Sequence, residues 1–206
     1  MARVHAPLMS LDASGSVAKA ITFSKWKGRN YVRELVTPHN PKSGLQTGQR
    51  AAVTWSTKQY ASIGATAQAN WKSQGKAKNI SPINAMVHLN GQRARQDKPP
   101  YKDPNITSAT AEAAPTAVVA TAGPKSGTIT WTDSTGAQDW GTAVYMLAGG
   151  APTTGPATLI AMVARGVQKY LISNLKTGTV YHIKLRGFST DGTFSVDTAD
   201  TTFTPT

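Results

Sequence analysis

The segment "TVYHIKLRGF", Thr179 to Phe188, alternates without a break. Val180, His182, Lys184 and Arg186 take one side, and Tyr181, Ile183, Leu185 and Gly187 the other. A period of two marks a strand with one buried face, because successive side chains of extended backbone point in opposite directions. Similar short runs share this part of the chain: "GTITWTDS", "GTAVYMLAGG", "ATLIAMVARG", "QKYLISNL" and "TFSVDTADTTFTP", separated by turn residues. Six or seven such strands in the last ~95 residues, with no helical pattern among them, predict an antiparallel β-sandwich.

The rest of the chain has another character, and the change is abrupt. "QDKPPYKDPNITSATAEAAPTA", Gln96 to Ala117, carries four prolines among small and polar residues. Proline is excluded from helix interiors and central strands, so the stretch reads as an extended linker running into a first strand. Net charge changes at the same place. Up to Pro104 there are 16 Lys and Arg against 4 Asp and Glu, and from Asn105 onward 6 against 6. The net charge of +12 therefore belongs to the first half, which is where an electrostatic partner is expected. The division that follows is a flexible arm over 1–17, a basic α+β domain over 18–100, a Pro-rich linker over 101–112 and the sandwich over 113–206.

Within the basic half, "VAKAITFSKW" and "NYVRELV" are β-prone runs flanking "KGRN". Gly28 and Asn30 suit the positive φ of a tight hairpin turn, and Pro38 and Pro41 end the second strand. Helical patterns follow. Leu45, Ala52, Trp55 and Gln59 are spaced as an apolar stripe, "TAQANWKSQ" continues as a second helix around Trp71, and Ser81-Pro82 is a helix start. Ile83, Met86, Val87 and Asn90 then share a face. A hairpin and about three helices would bury a small core built on Trp26, Tyr31, Trp55 and Trp71.

Both halves resemble known families. "GTITWTDS", with Trp131, is similar to the second strand of a fibronectin type III domain. "LKTGTVYHIKLRGFSTDG", Leu175 to Gly192, resembles that family's tyrosine-corner segment, with Tyr181 in the tyrosine position and Thr177 where the family often has Pro. The resemblance spans about Pro115 to Pro205 and implies a sandwich in which Trp131 and Tyr181 are core residues. "FSKWKGRNYVRELVTPHNPKSGLQTGQRA", followed by a helix with Trp71 and by "INAMVHLN", resembles small phage and prophage virion proteins. The matching residues are Trp26, Lys27, Gly28, Tyr31, Val32, Arg33, Asn40, Pro41, Gln46, Gln49, Arg50 and Asn90. That resemblance implies a structural component of a particle.

Composition narrows the chemistry. There is no cysteine, which removes disulfides, thiolate metal sites and Cys nucleophiles. His5, His39, His88 and His182 share no metal-ligand spacing. No acidic pair, Gly-x-Ser-x-Gly or phosphate-binding loop is present, so no enzyme, cofactor or metal is expected. No apolar run is long enough for a membrane helix, and "MARVHAPLMSLDASG" does not read as a secretion signal.

What remains is a surface that docks. The expected particle-interface residues are Lys25, Lys27, Arg29, Arg33, Arg50, Arg93 and Arg95, meeting the acidic surface of capsid or tail proteins. Trp26 and Tyr31 among such cations also suit nucleic acid, by phosphate neutralisation and base stacking, which is the alternative. A bacterial surface adhesin is a third class, disfavoured by the expected lack of an export signal. The resemblance to the fibronectin type III family among virion proteins implies that the sandwich projects outward and makes weak contact with host-cell carbohydrate. Trp140, Tyr145 and Tyr170 are candidates there for sugar stacking, or equally for the core.

Overall fold

Gly28, in the left-handed region at φ +75°, turns the chain between strand β3 (Ile21–Trp26) and strand β4 (Arg29–Glu34). Trp26 pairs with Arg29 and Ile21 with Glu34, so Asn30 lies in the ladder opposite Lys25 and not in the turn. The structure, a computed structural model, describes residues 2–3, 15–17, 20–26, 28–36, 42–106, 112–136 and 139–206. Lys27, Asn40 and Pro41 lie outside the described residues, as do the side chain of Trp26 and the stretch 107–111 of the expected linker.

Two short strands complete this first sheet. Strand β1 (Ala2–Arg3) pairs with β4, and strand β2 (Gly15–Val17) pairs with β3, giving the order β1-β4-β3-β2. The described parts of the expected flexible arm are therefore sheet edges. Residues Met1–Pro41 form a compact unit of their own.

The second unit, Lys42–Thr206, holds the helices and the sandwich together. The expected separation of a helical domain from the sandwich across 101–112 is corrected here. Helix α1 (Gly44–Gln59) starts at Ser43, whose hydroxyl accepts from Gln46 N–H at 3.4 Å. Helix α2 (Ala65–Ala77) follows a single 3-10 turn at Tyr60–Ser62. Helix α3 (Pro82–Arg95) starts at Ser81, which accepts from Asn84 N–H at 3.2 Å with Pro82 in the first turn.

The sandwich comprises β5 (Thr116–Gly123), β6 (Ser126–Thr132), β7 (Asp139–Ala148), β8 (Leu159–Ala164), β9 (Lys169–Ser173), β10 (Tyr181–Ser189) and β11 (Thr201–Phe203). Its sheets run β5-β6-β9 and β11-β10-β7-β8, all neighbours antiparallel. This is a fibronectin type III-like β-sandwich. Tyr181 makes the tyrosine corner: its hydroxyl accepts from Lys176 N–H at 3.1 Å while its ring is buried.

The two faces of the four-stranded sheet serve two cores. Val144, Ile183 and Leu185 point into the sandwich, with Ile129, Trp131 and Phe203 from the rest of it. Ala143, Tyr145 and Phe188 face the other way, against Trp55, Trp71 and Met86 of the helices. The helices thus form a third layer on the sheet. Their apolar stripe is complementary to the sandwich, and Leu45, expected on that stripe, is 61% exposed. Gly44 and Gly48 do the close packing instead. A Cβ on Gly44 would lie 1.9 Å from the Ala157 carbonyl oxygen, and one on Gly48 2.3 Å from that of Pro156.

Pro99 to Asp103 fastens this layer down. Asn90 is 1% exposed and brackets Tyr101, accepting from its N–H at 2.9 Å and donating to its carbonyl at 3.1 Å. The Trp71 indole donates to the Lys102 carbonyl at 2.9 Å, and Lys102 N–H donates to the Thr190 carbonyl at 3.0 Å. Proline removes backbone donors without preventing such bonds from its neighbours. The stretch that looked like a linker is a strap.

Candidate functional site

The ladder of the first sheet sorts the cations of the "FSKWKGRNYVRELV" segment. Directly paired residues share a face, and faces alternate along each strand. Arg29, Tyr31 and Arg33 stand on one face with Thr22 and Ser24, while Lys25 stands on the other with Phe23 and Val32. The expected cluster is therefore divided. Arg29 and Arg33 are exposed beside a half-buried Tyr31, which makes one cationic-aromatic face; Lys25 is exposed on the opposite one.

In the second unit, the helical segment 42–104 carries ten Lys and Arg against two acids. Both acids are engaged internally. Asp97 pairs with Arg186 at 3.4 Å, and Asp103 accepts from the Asn70 amide at 2.8 and 3.0 Å. Burial raises the Asp97 pKa and Arg186 partly offsets this. The sandwich, in contrast, is charge-balanced and pairs its own acids. Asp197 meets Arg186 at 3.5 Å and Lys184 at 3.8 Å, and Asp200 meets His182 at 2.6 Å.

The expected interface residues of the helices have different fates. Arg50 is exposed on α1, and Arg95 is exposed on α3 with its Nε 3.3 Å from the Gln49 side-chain oxygen. Arg93 is half-buried and engaged within the unit. Its guanidinium lies 3.5 Å over the Tyr101 ring, donates to the Pro99 carbonyl at 2.7 Å and reaches the Gly192 carbonyl at 3.0 Å. Burial lowers its pKa. It is a staple between α3, the strap and the loop after β10. Lys72 and Lys76, which the sequence did not single out, lie one turn apart on α2 and are exposed, beside the buried side that carries Ala67, Trp71 and Gly75.

A groove of about 620 Å³ runs between α1 and the edges of β8 and β9. Thr47, Ala51, Thr54 and Trp55 of α1 form one wall, and consecutive residues Ile160 to Ala164 of β8 form the other, with Val167 and Tyr170 beyond. Its charged lining residues are Lys42, Arg50, Lys58 and Lys169, all cationic and all exposed. Tyr170 is half-buried there, and burial raises its hydroxyl pKa. Of the helical and sandwich residues the sequence singled out, the structure brings Arg50, Trp55, Gln59 and Tyr170 to this one place. No sequence motif announces the groove, because its walls are about a hundred residues apart.

Of the two roles open to Trp140, Tyr145 and Tyr170, sugar stacking or core, the first two take the core. Trp140 and Tyr145 lie under the helices, 9% and 1% exposed, and only Tyr170 reaches a surface groove. Burial also pushes the Tyr145 hydroxyl well above the usual tyrosine range.

The most perturbed acid is Asp139 at the start of β7. Its side chain is 1% exposed, with Arg165 Nε at 3.7 Å. Burial and the nearby Glu112 and Asp133 carboxylates raise its pKa to about 6, against a smaller opposing effect of Arg165. Glu112 itself accepts from the Ser134 hydroxyl. Among the described residues, no group of three or more His, Asp or Glu is placed to hold a metal ion, and no helix is long and apolar enough to cross a membrane.

No protein-family model matches the sequence, and no curated protein matches it. Among solved structures, the chain is similar to the FN1–FN3 domains of chicken CNTN1, with 19% identity, a TM-score of 0.38, and 44% of this chain and 31% of that one covered. A β-1,2-glucanase from Parabacteroides distasonis aligns at 17% identity and a TM-score of 0.41, over 50% of this chain and 14% of that one. A redesigned β-sandwich protein aligns at 20% identity and a TM-score of 0.37, over 45% of this chain and 88% of that one. The chain thus spans less than a third of the first two structures it matches.

Proposed function

We propose that the chain is a non-enzymatic structural component of a virus particle, a capsid decoration or head- or tail-associated protein. It docks by its basic N-terminal half on an acidic protein surface and carries the fibronectin type III-like sandwich outward. The observation that carries the docking is the charge polarity of Lys42–Thr206. Ten cations against two internally tied acids lie in the helical segment and its strap, while the sandwich is neutral. The helices and the β5-β6-β9 sheet cover opposite faces of the four-stranded sheet. A surface bound at the helices therefore leaves the three-stranded sheet facing away from it. Charge complementarity of this kind favours encounter and register even where each contact is modest, and many copies on a lattice add avidity.

Membership of a particle is supported by the sequence pattern from Trp26 to Asn90. Contact with host carbohydrate would use sandwich surfaces other than Trp140 and Tyr145. The test is to purify particles from cells that produce the chain and to measure its copy number by mass spectrometry. Retention through density-gradient purification, lost on Lys72→Gln with Lys76→Gln, is the expected result. A chain found only in the soluble fraction would refute the reading.

A second reading, association with nucleic acid, is favoured by the face shared by Arg29, Tyr31 and Arg33. A salt titration with duplex and single-stranded DNA separates the two. A steep fall of log affinity with log salt, abolished by Arg29→Gln with Arg33→Gln, selects nucleic acid.

A further inference from the structure

We propose that the groove between α1 and the β8–β9 edges is a peptide-binding site, which takes an extended acidic segment of a partner protein as an added strand on β8. The site is independent of the particle reading and stands without it.

The first argument is the edge itself. β8 ends its sheet, so no described strand pairs with its outer side. Proteins protect such edges with charged residues, prolines or a cover, because a bare edge is a template for another strand. β8 reads "LIAMVA" and has neither charge nor proline. Its outer side opens into the groove, since five consecutive residues, Ile160 to Ala164, line it. An extended segment there gains main-chain hydrogen bonds from β8 and side-chain contacts with α1.

The second argument is charge and its spacing. The rim holds four cations and no carboxylate. Arg50 and Lys58 are eight residues apart on α1, about 12 Å of helix rise, and Lys42 stands just before the helix begins. A single small anion meets one of them. An extended chain brings same-side residues round every ~7 Å, so successive carboxylates along one strand reach several. The apolar lining then asks for an apolar or aromatic residue between the acids, to cover Ala51 and Val167, the latter 56% exposed. The occupant is thus an acidic strand with an apolar centre.

The experiment pans a random-peptide display library against the full chain and follows the selected peptide, made synthetically, by fluorescence anisotropy and amide hydrogen exchange. Selected sequences should be rich in Asp and Glu around an apolar residue. Binding should weaken about tenfold or more in R50E with K58E, and exchange of the Ile160–Ala164 amides should slow on binding. Both substitutions are at exposed positions; should that pair not fold, R50Q with K58Q serves, with a smaller loss in the same direction. Selection of basic or uncharged sequences, unchanged affinity in the charge variants, or no slowing at 160–164 would each overturn the proposal. So would displacement of the peptide by a single-stranded oligonucleotide at matched charge, which would make the groove a nucleic-acid site. Displacement by a small aryl carboxylate at comparable affinity would make it a small-molecule pocket, and would also overturn it.

Discussion

The ring of Trp55 on α1 stands edge-on to that of Trp140 on β7, with centroids 4.3 Å apart and planes at 79°. Phe188 of β10 completes the contact, 5.1 Å from Trp55 at 78°. Edge-to-face pairs add roughly 0.5–1.5 kcal/mol each to the burial of the rings themselves. This contact joins the helical layer to the sandwich, so the two should unfold together. Trp55→Ala is expected to cost about 3–5 kcal/mol, lowering the urea midpoint of the unit as one transition. Trp55→Phe should cost much less, since the indole N–H finds no acceptor among the described residues. Separate transitions for the helices and for the sandwich, within Lys42–Thr206, would contradict the shared core.

Gly48 sets two effects against each other. Alanine is favoured over glycine within a helix by about 0.8–1 kcal/mol. A Cβ at this position would meet the Pro156 carbonyl oxygen at 2.3 Å and Leu159 Cβ at 3.3 Å. The first is backbone and cannot swing aside, so α1 must lift from the sheet, at about 1–3 kcal/mol. Gly48→Ala should therefore lower the melting temperature, whereas Ala69→Gly, on the exposed side of α2, should lower it through propensity alone.

The same residues show what the sequence makes legible. The alternation over Val180 to Gly187 identifies β10 because one side of that strand faces the sandwich throughout. Ser81 and Pro82 mark the start of α3 because capping is local chemistry. The stripe on α1 was harder, since its complement is Trp140 and Phe188, some hundred residues away. Trp140 and Tyr145 looked exposable on a two-layer sandwich and are buried only because a third layer covers them. Prolines 99, 100 and 104 suggested a linker, while Asn90, the residue that binds the strap, sat in a helix with no sign of its partner. Arg93 likewise reads as one more surface cation until Tyr101 and Gly192 are placed around it.

Asp139 ties stability to pH. Its folded pKa of about 6 lies above the usual 3.8, so between about pH 4 and 6 the folded chain holds more protons than the unfolded one. Stability contributed by this group is then greatest in acid, falls as pH rises through that window and levels off above it. The loss is up to about 3 kcal/mol at 1.36 kcal/mol per pH unit. Urea midpoints measured from pH 4 to 7 should show this fall, and Asp139→Asn should flatten it. A variant with the same slope as the wild type would assign the dependence to other groups.

Tyr181→Phe tests the corner. The hydroxyl accepts one backbone hydrogen bond, from Lys176, and the ring stacks on Phe203 with centroids 5.8 Å apart. Phenylalanine keeps the ring and orphans the Lys176 N–H, which costs about 1–2 kcal/mol. Amide exchange at Lys176 should accelerate beyond what the global loss explains, because the opening there becomes local.

Arg93 and the Lys72–Lys76 pair should separate cleanly in one assay. Arg93→Met keeps the aliphatic packing but deprives the Pro99 and Gly192 carbonyls of their donor, so stability should fall by about 1–3 kcal/mol. Lys72 and Lys76 are exposed on α2, and exposed charges of this kind change stability by under about 0.5 kcal/mol. Binding to an immobilised acidic surface, such as polyglutamate, should show the reverse. Lys72→Gln with Lys76→Gln should weaken it and reduce its salt dependence, while Arg93→Met leaves the salt dependence as it was, measured well below its melting temperature. If Arg93→Met instead reduced the salt dependence while leaving the melting temperature unchanged, the staple would have to be reassigned as a docking residue.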